Sequence, residues 1–280
     1  MFRSLIRSVR VVTASVFLLA AAQLAWLELK SAHASILYQA GFEDDAQRIR
    51  GWLEDDERVM QAKYGVTPSR YRMSIYLHPA PTANADVNKA LNRCCQQTAD
   101  GLMTGTIDML APSAPAMRSA TAISSLGLSK RSDDYHAKIL MSEYIPIAHY
   151  EAQNSRLSGG WKYYSAPNWV VQGLQEYDAI FHTTAGNRDV TAKRLSAWAT
   201  THRTVFSCCS PDVAITDDRN GGAAFMDFLA VQFGEGVHAR LLRSSEPTFE
   251  AALTEVTAPY TRSQLFARFQ EWLERGAPSR

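Results

Sequence analysis

The chain has four cysteines, and their spacing indicates whether they form disulfides or bind a metal. They form two adjacent pairs, Cys94-Cys95 and Cys208-Cys209. In an exported protein such cysteines are expected to form disulfides, and the sequence leaves three pairings open. Zinc sites usually separate their cysteines by two to four residues, so adjacent cysteines chelate a metal poorly. The sequence therefore predicts disulfides, with a thiolate metal site as the alternative.

Other chemistries find little support in the residue pattern. Ser142-Glu143 and several histidines could suggest a serine hydrolase, but the chain has no Gly-x-Ser-x-Gly elbow and no glycine-rich phosphate loop. The formal net charge is +1, and residues 35–280 hold 25 Lys and Arg against 27 Asp and Glu. Because this charge is nearly balanced and no basic tract occurs, we expect no nucleic-acid partner.

Two segments resemble the zinc-binding helices of the gluzincin (peptidase MA-like) zinc metallopeptidases. Residues 140–147, Leu-Met-Ser-Glu-Tyr-Ile-Pro-Ile, are similar to the family's His-Glu-x-x-His helix. Residues 167–177, Pro-Asn-Trp-Val-Val-Gln-Gly-Leu-Gln-Glu-Tyr, are similar to its second helix, Pro-x-Trp-Leu-x-Glu-Gly-Leu-Ala-Glu-Tyr. Residues 225–229 and 249–253 resemble the family's C-terminal helices, so the likeness extends over most of residues 36–275.

The resemblance implies that the zinc ligands have been replaced. In the family, two histidines at i and i+4 and a glutamate from the second helix bind zinc, and the glutamate of the first motif is the general base. Ser142 and Pro146 occupy the histidine positions, Gln172 occupies the ligand glutamate, and Glu143 keeps the position of the base. Hydroxyl and amide groups are poor zinc ligands and proline offers none. We therefore expect no metal or other cofactor, and a vestigial Glu143.

A displaced zinc site is the alternative. His149 is seven residues after Ser142 on the same helical stripe, and Glu176 is four after Gln172. A site built from His149, Glu176 and Glu143 would make the chain an active zinc peptidase. Tyr177 belongs with these residues as a candidate cleft residue.

The segments that would position these residues can be predicted from periodicity. Helices are expected over 42–64, 135–153, 169–181, 192–201, 223–233, 237–243, 248–255 and 263–275, and strands over 71–77 and 102–110, with 111–134 as loop. Pro146 should kink the 135–153 helix or restart it. Trp161, Tyr163, Tyr164 and Trp169 form an aromatic cluster that is expected to be core, with a ligand-stacking platform as the alternative.

The N-terminus has the pattern of an export leader. Three arginines precede an apolar run from Val11 to Leu27, and Ala32-His33-Ala34 offers the small-x-small pattern that signal peptidase recognises. The run is short for a membrane span. Residues 1–34 are therefore predicted to be a signal peptide cleaved after Ala34, or else a retained membrane anchor. In both cases residues 35–280 should be periplasmic or extracellular.

Strands followed by helices predict an α+β fold. The resemblance refines this to a gluzincin- or thermolysin-like domain over 35–280, with a sheet-containing lobe at 35–134, a helical lobe at 135–280 and a cleft between them. The function that follows is an exported, catalytically inactive peptidase homologue, acting as a structural module or binding a peptide or protein in that cleft. Its attachment to the membrane would depend on whether the leader is kept.

Overall fold

The computed structural model describes residues 25–275, apart from 67–70, 88, 100–102, 120–132, 155–159 and 182–218. The fold is mixed α and β, consistent with the predicted α+β class. It divides into two compact units. One consists of Met1–Gly51 with Arg70–Ala120, and the other of Trp52–Ser69 with Thr121–Arg280. The predicted helix over 192–201 lies outside the described residues.

The first unit is built on a six-stranded sheet. Its strands are β1 (Leu27–Lys30), β2 (Ala34–Tyr38), β3 (Tyr71–His78), β4 (Ala85–Asp86), β5 (Lys89–Gln97) and β6 (Met103–Leu110). Their order across the sheet is β1-β2-β3-β6-β5-β4. Strand β2 runs parallel to β3 and β3 parallel to β6, while the remaining neighbours are antiparallel. The strands predicted over 71–77 and 102–110 are therefore present, as β3 and β6.

One face of this sheet forms the core of the unit because its apolar residues alternate along the strands. On β3, Tyr71, Met73, Ile75 and Leu77 are all at most 2% exposed, and the residues between them are less buried. Burying each such side chain contributes about 1.5–3 kcal/mol. Helix α1 (Glu43–Tyr64) begins in this unit, where the Asp45 carboxylate accepts from the backbone N–H of Ser113 at 2.8 Å and from its hydroxyl at 2.6 Å. The helix predicted over 42–64 is confirmed.

Strand β1 lies inside the segment predicted to be a leader. It pairs antiparallel with β2, from Leu27 opposite Tyr38 to Lys30 opposite Ser35.

Cys94 and Cys95 lie on β5 at a break in register between Arg93 and Gln96. Their side chains, and the whole of Cys208 and Cys209, lie outside the described part of the chain, so the disulfides stay a prediction.

The second unit is helical. After α2 (Pro115–Ser119) of the first unit, which falls in the predicted loop, come α3 (Asp133–Asn154), α4 (Asn168–Phe181), α5 (Asn220–Phe233), α6 (Val237–Arg243), α7 (Phe249–Val256) and α8 (Arg262–Glu274). The C-terminal part of α1 belongs to this unit as well. Six of the predicted helices correspond to α3 to α8 within a few residues, with 223–233 extended to Asn220. Thr248 caps α7 by accepting from the Ala251 N–H.

The aromatic cluster belongs to the core of the helical unit. Trp161, Tyr163 and Trp169 are at most 4% exposed. The Trp161 indole N–H donates to the Leu241 carbonyl at 2.9 Å, and the Trp169 ring lies edge-on to Phe225 at 5.4 Å. Because these rings are enclosed by other helices, the core interpretation is confirmed for them; the side chain of Tyr164 lies outside the description.

Candidate functional site

The first motif lies on α3, which is one helix through Pro146. Pro146 is buried inside the helix, so the predicted restart at this residue is wrong. The Ser142 hydroxyl donates to the Ile139 carbonyl at 2.9 Å, one turn back along the same helix. Glu143 lies on α3 between these residues, but its side chain is outside the described part of the structure. Its expected role, a vestigial base or a ligand of the displaced zinc site, therefore stays a prediction.

A side chain from α4 compensates for the hydrogen bond that proline removes. Proline has no N–H, so the carbonyl four residues back loses its helical donor. Four residues before Pro146 is Ser142, and the Ser142 carbonyl accepts a hydrogen bond from Nε2 of Gln175. The bond joins the two motif helices directly. Proline is therefore accommodated inside α3 because α4 supplies the missing donor.

The second motif lies on α4, where Gln172 is half-buried and Glu176 and Tyr177 are buried. Gly173 lies where α4 comes close to α5. A Cβ on Gly173 would lie 2.5 Å from the carbonyl carbon of Gly222, which belongs to α5. Gly222 is equally restricted, because its Cβ would lie 2.2 Å from the Trp169 carbonyl oxygen. The two glycines therefore permit close crossing of α4 and α5.

His149 has both ring nitrogens engaged and is completely buried. Its Nε2 lies 2.8 Å from Oδ2 of Asp178, and its Nδ1 lies 3.1 Å from the Tyr163 hydroxyl. A metal at the alternative site with Glu176 and Glu143 would have to displace one of these partners. Within the described ranges, His, Cys, Asp and Glu do not come together in threes that could hold a metal ion.

Asp178 is the centre of a buried polar cluster that also contains Lys63, Tyr64, His149 and Tyr163. Lys63 Nζ donates to Oδ1 of Asp178, and the Tyr64 hydroxyl donates to Oδ2. The side chains of Lys63 and Asp178 are 8% and 0% exposed. A buried charge is tolerated when it is paired and hydrogen-bonded, and this carboxylate has an ammonium, a phenol and an imidazole as partners. The cluster ties the C-terminal end of α1 to α3 and α4.

The proton positions in the buried polar cluster follow from burial. Burial lowers the pKa of His149, against the opposing influence of Asp178, so the imidazole is neutral. A carboxylate can only accept, so Nε2 carries the proton toward Asp178, and Nδ1 accepts from the Tyr163 hydroxyl. Burial, followed by the charge of Asp178, raises the pKa of Tyr64, which keeps its hydroxyl a donor. Asp178 thus keeps its imidazole and phenol donors, while the single Tyr163 proton is shared between Nδ1 of His149 and the Val171 carbonyl, each 3.1 Å from the hydroxyl.

His238 is a second buried histidine, next to the cluster. Its ring packs edge-on to Tyr177 with 4.7 Å between centroids, and Nε2 donates to the Met226 carbonyl at 2.9 Å. Burial first, and then the positive charge of Lys63, lowers the pKa of His238 to about 3. In this part of the described structure Nδ1 is buried without a hydrogen-bond partner. This buried site therefore holds the His238 imidazole in its neutral form.

Sequence reasoning singled out His149 but missed Lys63, Tyr64 and Asp178. One signal was available, because Asp178 interrupts an otherwise apolar stretch after Tyr177 on a helix predicted to be buried. A charged residue in such a stretch indicates a buried partner. The partner could not be named, because Lys63 is more than a hundred residues away in the chain.

Two further observations concern the chain as a whole. Among the described residues, no helix is both long enough and apolar enough to cross a membrane. No protein-family model matches the chain, and no curated protein matches it.

Proposed function

We propose that this chain is an exported, non-catalytic homologue of gluzincin peptidases that acts as a binding or structural module, with a peptide or protein as its partner. The observation that carries the proposal is the hydrogen bond from Gln175 to the Ser142 carbonyl. At the position that resembles the second zinc histidine stands a proline, and α4 provides a donor that repairs the helix around it. This repair supports a scaffold that has adapted to the loss of its metal ligand.

The buried polar cluster gives further support. A displaced zinc site would recruit His149, yet both nitrogens of this imidazole are used by Asp178 and Tyr163. Removing the Asp178 bond would also leave a carboxylate of 0% exposure with fewer donors. Such a rearrangement costs several kcal/mol for a buried charge. His149 is therefore better explained as a structural residue.

The test is metal content before and after the ligands are restored. We expect the detergent-purified full chain to hold less than about 0.1 zinc per chain after dialysis against zinc buffer, and to show no chelator-sensitive peptide hydrolysis. The combined variant Ser142→His, Pro146→His and Gln172→Glu should gain about one zinc per chain, because it rebuilds the family's ligand set. Ser142→His alone is the matched control and should gain none.

Two results would contradict the proposal in different ways. About one tightly held zinc in the unmodified protein, lost in His149→Ala or Glu176→Gln, would favour the displaced site and an active peptidase. A folded combined variant that binds no zinc would instead refute the gluzincin-like arrangement of α3 and α4.

A further inference from the structure

The N-terminal segment continues directly into the fold. Strand β1 begins at Leu27, which is also the last residue of the apolar run Val11–Leu27. All four β1 residues pair with β2. The Ser35 hydroxyl donates to the Glu28 carboxylate at 2.7 Å across this pair. No linker therefore separates the end of the apolar run from the sheet.

The predicted cleavage point lies within this folded structure. The Ser31 N–H donates to the Ala34 carbonyl at 2.8 Å, and the Ala34 N–H donates to the Ser31 hydroxyl at 3.1 Å, which closes the turn between β1 and β2. Ala34 is 6% exposed and is the first residue of β2. Cleavage after Ala34 would remove β1 and expose the edge of β2, next to the fully buried Ile36.

Two exposed apolar side chains lie where the apolar run enters the sheet, at the start of β1. Among the described residues, Trp26 and Leu27 are the large hydrophobic side chains that are exposed, at 38% and 40%. The Trp26 ring is held edge-on against Tyr76 and His78, with centroids 5.3 and 5.4 Å away. Tryptophan and tyrosine are preferred where a membrane meets water, because one part of the ring system is apolar and another is polar.

We propose that the N-terminal segment is retained as a membrane anchor, and that Trp26 and Leu27, where β1 begins, contact the lipid headgroup region of that membrane together with Tyr76 of β3, which lies against Trp26. The β1–β2 pairing requires residues 27–34 to remain attached to the rest of the chain. Because no linker precedes β1, the start of this strand stays next to the anchor. The inference rests on the proposed export, since it chooses between the two fates of an exported leader.

The first experiment determines the N-terminus and the location of the full chain expressed from its own start. We expect the mature protein to retain residues 1–34, near 31.1 kDa, and to resist alkaline extraction from membranes while detergent releases it. A soluble mature protein that begins at Ser35 would overturn the inference and leave export intact. A retained chain whose body is digested by protease from the cytoplasmic side would instead overturn export.

The second experiment tests the contact itself by tryptophan fluorescence. The detergent-purified full chain is reconstituted into phosphatidylcholine vesicles with bromine atoms near the headgroup end of the acyl chains. Bromine should quench part of the emission of the six tryptophans. In Trp26→Phe at least half of this quenching should disappear. In Trp272→Phe, which alters a buried ring of α8, it should remain. Equal quenching in Trp26→Phe and the unmodified chain would refute the lipid contact.

Discussion

The hydrogen bond between Gln175 and the Ser142 carbonyl predicts a specific energetic coupling with Pro146. Replacing Gln175 by Met keeps the side-chain length but removes the donor, which leaves a half-buried carbonyl unsatisfied. The expected loss is about 1–2 kcal/mol, the lower part of the range for a buried polar group without a partner. When Pro146 is replaced by Ala, the new N–H reaches the Ser142 carbonyl within the helix. The same Gln175→Met change should then cost about 0.5 kcal/mol or less.

The single Pro146→Ala change should itself stabilise the protein. Interior proline costs about 3 kcal/mol relative to alanine, while the two ring methylenes lost from a buried site cost about 0.8 kcal/mol each. The expected net gain is about 1 kcal/mol. The coupling energy of the double-mutant cycle should be about 1 kcal/mol, with Gln175 contributing less once proline is gone.

The assay is urea unfolding of the four proteins, followed by fluorescence under one fixed redox condition. With a slope near 3 kcal/mol per molar urea, a loss of 1.5 kcal/mol lowers the midpoint by about 0.5 M. Gln172→Met is the matched control, since it alters the same residue type one turn earlier on α4. Its coupling to Pro146→Ala should be close to zero. A Gln175 coupling below about 0.3 kcal/mol would refute the idea that Gln175 replaces the helical donor.

The remaining predictions concern the buried groups and the helix crossing. Lys63→Met leaves the buried carboxylate of Asp178 without its counter-charge and should cost about 3–5 kcal/mol in urea unfolding, partly recovered when Asp178→Asn is added. His238 has a folded pKa of about 3 and an unfolded value near 6.5. The unfolded chain therefore binds the extra proton between these values, and stability should fall as the pH drops from about 6.5, by up to about 1.4 kcal/mol per pH unit. In His238→Gln the slope of stability against pH should decrease by this amount; an unchanged slope would exclude a neutral buried imidazole. Gly173→Ala should destabilise by about 1–3 kcal/mol because of overpacking, whereas Gly51→Ala, where a Cβ meets nothing within 4 Å, should stabilise by about 0.5–1 kcal/mol. Equal thermal midpoints for these two variants would contradict the close crossing.

The hydrogen bonds also show what holds the two motif helices to each other and to α1. The buried polar cluster provides Asp178 with an ammonium, a phenol and an imidazole, and Gln175 provides the donor that Pro146 lacks. These bonds join α1, α3 and α4. The two motif helices are therefore connected by hydrogen bonds of their own residues, from Gln175 to the Ser142 carbonyl and from His149 to Asp178.

The sequence by itself determined the elements whose signals are local. The 3.6-residue period predicted α1 and most helices of the second unit, and the alternation from Tyr71 to Leu77 predicted β3, because both patterns reflect which side of an element faces the core. It also indicated that Trp161 and Trp169 would be buried. The replacement of zinc ligands at Ser142, Pro146 and Gln172 is implied only by the family resemblance and stays a prediction.

The tertiary structure decided which distant groups meet. Strand β1 exists because β2 offers it a pairing edge, although its first residue, Leu27, is the end of an apolar leader-like run. Gly173 faces Gly222 of α5 rather than α3, and Asp178 meets Lys63 across more than a hundred residues. The periodicity of a helix shows which face is buried but not which partner covers it, because the partner is selected by the packing of the whole chain.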